Sequence, residues 1–173
     1  MRGYGLSAFA LLLFAQAAHP AAVSLEVPFV SQPPDGCGAA SIAMVIGYWS
    51  HHSHRPAADV QAIHQQLYSP QARGVFASAM ERYFQQNGFQ AYAFRAEWND
   101  IENHLRKGRP LIVALQPGRG PLHYVVVTGF DAQHVLLHDP AVRQFVKQRR
   151  STFESQWRRA RFWTLLAVPA SAP

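Results

Sequence analysis

The segment from Cys37 to Trp49 reads CGAASIAMVIGYW and is apolar on nearly every face, with Ile42, Val45, Ile46 and Trp49 at helical spacing. A helix that is apolar all round has no side to give to water, so it is buried at the centre of a domain and the rest of the chain wraps it. The loop before it, Ser31-Gln32-Pro33-Pro34-Asp35-Gly36, is marked by its prolines and the Asp-Gly pair. His51-His52-Ser53-His54-Arg55-Pro56 ends it. At 173 residues, 49% hydrophobic and 15% charged, the chain suits one compact domain and is too apolar for intrinsic disorder.

The remaining pattern predicts an α+β domain. Leu25 to Val30 reads as a short extended entry, and Ala57–Tyr68, Val75–Asn87 and Glu97–Lys107 as three helices. Asn87-Gly88 and Gly108 supply left-handed exits for the last two. The period then shortens. Leu111–Leu115, Tyr124–Thr128 and His134–His138 are β-rich runs set apart by Gly, Pro and Asp, with further strands expected near Gln144–Gln148 and Arg161–Val168. Helices ahead of a largely antiparallel sheet is the arrangement expected.

The first residues read as an address. A short basic lead, the apolar run Leu6–Phe14 and the small-x-small Ala15-Gln16-Ala17 describe a secretory signal over residues 1–18, with the domain spanning 25–168. Export to the periplasm or the medium is therefore expected; left uncleaved, the same segment would tether the domain to a membrane. No stretch reaches the ~18 apolar residues of a spanning helix. The formal net charge is +6, and seven basic residues stand between Arg143 and Arg161 against one acid, Glu154. That cluster reads as a solvated face of a helix and strand, and an exported chain is not expected to meet nucleic acid.

One cysteine excludes an internal disulfide and any multi-cysteine zinc site. If the central helix starts at Cys37, its thiol sits where unpaired N–H groups and the positive end of the helix dipole favour the nucleophilic thiolate. A base is needed. His123 opens the strand HYVVVTGF, and Asp139 ends the next run, HVLLHD, 16 residues later. A tight turn at Asp131-Ala132 would bring His123 and Asp139 together, the carboxylate fixing the imidazole's tautomer. Gln32, five residues before Cys37, offers a side-chain amide for an oxyanion.

The segment Val27-Pro-Phe-Val-Ser-Gln32-Pro-Pro-Asp-Gly-Cys37-Gly-Ala-Ala-Ser-Ile-Ala-Met, with His123-Tyr-Val-Val-Val-Thr-Gly-Phe and His138-Asp139-Pro140, resembles the peptidase C39 family. These are papain-like cysteine peptidase domains, best known at the N-terminus of bacteriocin-exporting transporters. The resemblance runs roughly from Leu25 to Val168. It implies a papain-like fold, a peptide or protein substrate, Cys37 as nucleophile, His123 as general base and acid, Asp139 as orienting carboxylate and Gln32 as oxyanion donor. Two departures stand out: Gly36 separates Asp35 from Cys37, and the interval from Gln32 to Cys37 is one residue shorter than in transporter-borne members. No P-loop follows, so the chain looks like a stand-alone, exported member. A monomer without a cofactor is expected.

Three other readings use the same residues. A γ-glutamyl transpeptidase of the phytochelatin-synthase type also carries a Cys-Gly-x-Ala-Ser segment. A papain-like module without activity could hold peptides in its groove. His51, His52, His54 and His64 could chelate a metal, although there is no HExxH and no evident carboxylate beside them.

Overall fold

A computed structural model describes residues 22–53 and 58–170; the expected signal segment, His54 and the side chain of His52 lie outside them. The apolar segment forms helix α1, Cys37–Ser53, and every residue from Gly38 to Tyr48 is buried. Before it, β1 (Val23–Ser24) leads into an irregular entry segment. After it come α2 (Val60–Leu67), the strand pair β2 (Tyr68–Ser69) and β3 (Gly74–Val75), α3 (Ala77–Gln86), β4 (Phe89–Arg95) and α4 (Trp98–Arg106). The second half holds β5 (Leu111–Leu115), β6 (His123–Phe130), β7 (His134–Asp139), β8 (Arg143–Arg149), α5 (Arg150–Arg159) and β9 (Trp163–Pro169).

Local chemistry sets the helix ends. Asp59 caps α2, its Oδ1 accepting from the Gln61 amide at 2.9 Å. Glu97 and Asp100 form a reciprocal capping box at the start of α4. Gly88 (φ 80°) and Gly108 (φ 68°) end α3 and α4 in the left-handed conformation that glycine adopts without a Cβ clash.

The main sheet has seven strands, ordered β4-β9-β5-β6-β7-β8 with β1 on the far end of β6, and each pairing is antiparallel. Its two faces are both covered. Ile112, Ala114, Tyr124, Val126 and Leu165 pack on the side of α1 and α3. Leu111, Val113, Val125, Val127 and Leu166 pack with Ile101 and Leu105 of α4 and Phe153 and Trp157 of α5. Double burial is why LIVAL and YVVV carry no polar alternation.

Two elements differ from the expected order. Phe89–Arg95 is a strand inserted among the helices, and it pairs along its whole length with β9 at the end of the chain. Its alternation, with Phe89 and Ala91 buried and Gln90 and Tyr92 exposed, is a period-2 signal masked by the helical runs on either side. The second is α5: the basic cluster does lie on a strand and a helix, β8 and α5, but the helix follows the strands and turns Phe153 and Trp157 into the core, leaving its charges outside. Helices therefore flank and interrupt the sheet rather than precede it.

Candidate active site

Cys37 is the first residue of α1. The Gly36 carbonyl accepts from the Ala40 amide at 2.9 Å, making Gly36 the cap and leaving the first-turn N–H groups without helical partners. The loop that delivers the helix is tightly wound. Asp35 has a positive φ of 54°, and the Gly36 amide donates to the Pro33 carbonyl at 2.9 Å. A Cβ on Gly36 would lie 2.5 Å from Pro33 Cγ, and one on Gly38 2.9 Å from Val75 Cβ. The two glycines therefore serve packing against Pro33 and Val75. Cys37 itself is only partly buried, beside a run from Gly38 to Tyr48 that is wholly buried.

His123 stands at the first position of β6, opposite Leu115 of β5. Asp139 is the last residue of β7. Phe130 ends β6, and a turn over 131–133 is fixed by Asp131, whose Oδ1 accepts from the Gln133 and His134 amides, each at 2.8 Å. That hairpin brings His123 Nε2 to 2.7 Å from Asp139 Oδ1. The carboxylate is held in turn by the Ala141 amide at 3.0 Å. Both side chains keep about a fifth of their surface accessible, 23% and 21%.

Cys37 lies close enough to the same ring to act on its ionisation. Burial alone would drive the His123 imidazole neutral, but the hydrogen bonds to Asp139 and Cys37 and the charges of both raise its pKa to about 9. Burial works against the Asp139 carboxylate too, yet the hydrogen bond and charge of His123 and the Ala141 N–H hold it below its ordinary value. Cys37, His123 and Asp139 thus meet at one end of the sheet, drawn from α1, β6 and β7.

Gln32 reaches the same rim through its backbone, its amide donating to the Pro140 carbonyl at 3.0 Å. Its Oε1 is buried without a hydrogen-bond partner among the described residues, and its side chain makes no hydrogen bond to the other three. No group of three or more metal-ligating side chains occurs among the described residues.

Tyr124 was not among the residues expected at the site. It follows His123 on the opposite face of β6, stacks edge-on against Trp163 at 5.4 Å, and its hydroxyl is pushed up to about 12 by burial and then by the charge of Cys37. Beside it opens an apolar cavity of about 390 Å³, walled by Leu122, Tyr124, Phe94 and Trp163, with Arg95 and Arg161 among its lining. Its walls come from β4, β5, β6 and β9, so the pairing of mid-chain β4 with β9 at the end of the chain helps to assemble it.

The model of the Peptidase_C39 like family matches residues 24–164. The chain belongs to this family. Among solved structures, this C39-like protein is similar to a C39-like peptidase from Bacillus anthracis, with a TM-score of 0.71, 17% identity, and 88% of this chain and 100% of that one covered. It is similar also to the peptidase domain of Streptococcus ComA, a bi-functional ABC transporter involved in quorum sensing, with a TM-score of 0.66, 22% identity and coverage of 83% and 99%. A third is the double glycine motif protease of an AMS/PCAT transporter, solved in complex with the leader peptide, with a TM-score of 0.67, 22% identity and coverage of 89% and 99%. Those neighbours share its fold, the papain-like architecture of C39 peptidase domains. No curated protein sequence matches it.

Proposed function

We propose that this C39-like protein is a cysteine peptidase that hydrolyses a peptide or amide bond, with Cys37 as nucleophile, His123 as acid and base, Asp139 as orienting carboxylate and Gln32 as an oxyanion donor. The observation that carries this reading is the 2.7 Å contact between His123 and Asp139, on a ring whose ionisation the half-buried Cys37 also raises. With Nε2 engaged by the carboxylate, Nδ1 is the nitrogen left for sulfur. Nδ1 then takes the thiol proton as Cys37 attacks the substrate carbonyl.

The chemistry is an acyl transfer in two halves. The thiolate adds to the scissile carbonyl carbon, and the carbonyl π electrons move onto oxygen, where the Cys37 backbone N–H and the Gln32 amide N–H donate to it. Collapse breaks the C–N bond as the amine leaves with the proton from Nδ1, giving a thioester. Water then gives a proton to Nδ1 and adds to the thioester carbonyl; the C–S bond breaks and the thiolate returns. The cavity beside Tyr124 would take an apolar substrate side chain. Residues 1–18 are read as an export signal, placing this activity outside the cytoplasm.

Replacing Cys37 by Ala tests the reading. The variant is expected to keep its circular dichroism and cooperative unfolding while losing peptide hydrolysis and alkylation by iodoacetamide. Hydrolysis at the wild-type rate in that variant would end the proposal.

A further inference from the structure

His138 stands beside Asp139 in sequence, is fully buried, and has no part in the chemistry above. Its ring joins three segments. Nε2 lies 2.8 Å from the carbonyl oxygen of Val27, 111 residues earlier in the entry segment. Nδ1 accepts from the Phe145 amide of β8 at 3.2 Å. Phe29 and Phe145 pack edge-on against the ring, with centroids 5.8 Å and 4.7 Å away.

These partners fix the ring's state. A carbonyl oxygen can only accept, so Nε2 carries a proton; a backbone N–H can only donate, so Nδ1 carries none. His138 is therefore the neutral Nε2–H tautomer. Burial favours the same form, lowering its pKa against the opposing hydrogen bond to Val27 and the charge of Glu26 in the entry segment. From β6 the residue paired with it is the apolar Val126, and from β8 the ring meets Phe145.

Its place in the sheet gives the contacts their consequence. Between β7 and β8 the register shifts, with Leu137 opposite Val146 but Asp139 opposite Arg143. Two residues, Gln144 and Phe145, thus face His138 alone. Phe145 takes a positive φ of 51° there, and its displaced N–H finds His138 Nδ1. Beyond the bulge the ladder resumes with Asp139 opposite Arg143, and the turn closed by the Val142 amide on the Asp139 carbonyl at 3.0 Å puts Ala141 where its N–H can hold the carboxylate. On the other side, the His138–Val27 and Pro140–Gln32 contacts fasten the entry segment at two points, ten and five residues before Cys37.

We propose that His138 is a positioning residue, whose neutral ring ties the β7–β8 bulge to the entry segment and so sets Asp139 against His123. The role rests on the peptidase reading for its effect on turnover, but its effect on His123 does not depend on a substrate. The variants are His138→Phe, which keeps a flat ring between Phe29 and Phe145 but neither hydrogen bond, and His138→Gln, which keeps a donor for Val27 and no acceptor at the Nδ1 position.

The decisive measurement is the titration of His123 by NMR of ring-labelled protein, read beside kcat/KM against pH. In His138→Phe the His123 midpoint is expected to fall from about 9 toward 6.5, with kcat down at least tenfold and KM within about threefold. His138→Phe combined with Asp139→Asn should lose no more than Asp139→Asn alone, because both act through one contact. If His138→Phe does not fold, His138→Gln carries the same titration, with a smaller fall expected. A His123 midpoint unchanged in a folded variant, or losses that multiply in the double variant, would overturn the proposal. If the wild type hydrolyses nothing, the peptidase reading fails, while the titration still decides the role of His138.

Discussion

His123 and Asp139 lie 16 residues apart and meet at 2.7 Å through Nε2 and Oδ1, the orientation that leaves Nδ1 free of the carboxylate. In the proposed mechanism that carboxylate would select the reacting nitrogen and help to hold its proton. Asp139→Asn should remove the charge while keeping the shape. The expected result is a fall in kcat on the order of 10²- to 10⁴-fold. The alkaline limb of the pH profile should also move to lower pH, since Asp139 helps to lift the imidazole.

The wild-type profile of kcat/KM should fall on the alkaline side with a midpoint near 9, where His123 gives up the proton the leaving amine needs. The same shift has a sign for stability. The folded pKa of His123 is raised from 6.5 to about 9, so its contribution is complete below 6.5 and lost as the pH climbs through 9. Urea midpoints between pH 6 and 10 measure it; a midpoint that rises across this window in the wild type but not in His123→Ala would contradict the assignment.

Gln32→Ala should lower kcat on the order of 10²- to 10³-fold and leave KM within a few-fold, as removal of an oxyanion donor does. Its backbone contact to Pro140 survives the change, so the fold should be retained. Steady-state kinetics decide; an effect confined to KM would make Gln32 a substrate-binding residue instead.

Gly36→Ala places a methyl group 2.5 Å from Pro33 Cγ. Relief requires the loop to shift, at a cost of about 1–3 kcal/mol typical of overpacking. Because that loop delivers Cys37, slower alkylation of the sulfur should accompany the lower urea midpoint. Loss of stability with an unchanged alkylation rate would separate the loop's packing from its role in presenting the thiol.

Ala93→Phe tests the cavity beside Tyr124, which Ala93 helps to line from β4. For peptides with a large apolar side chain next to the scissile bond, kcat/KM should fall about tenfold or more, with little change for glycine-rich peptides. Equal losses for both would place the apolar side chain elsewhere.

The buried central helix was legible in the chain alone, because thirteen residues without a polar face have only one stable location. The Pro-Pro-Asp-Gly loop put the start of that helix at or just before Cys37, and the turn at Asp131 marked the hairpin that unites His123 with Asp139. All three rest on local signals, namely periodicity, turn chemistry and a short loop. Tertiary structure alone decided the pairing of β4 with β9, the bulge opposite His138 and the cavity that Phe94, Tyr124 and Trp163 share. Each of these joins segments far apart along the chain, and the energy that selects them lies in side-chain packing and unpaired backbone groups, which no local pattern encodes.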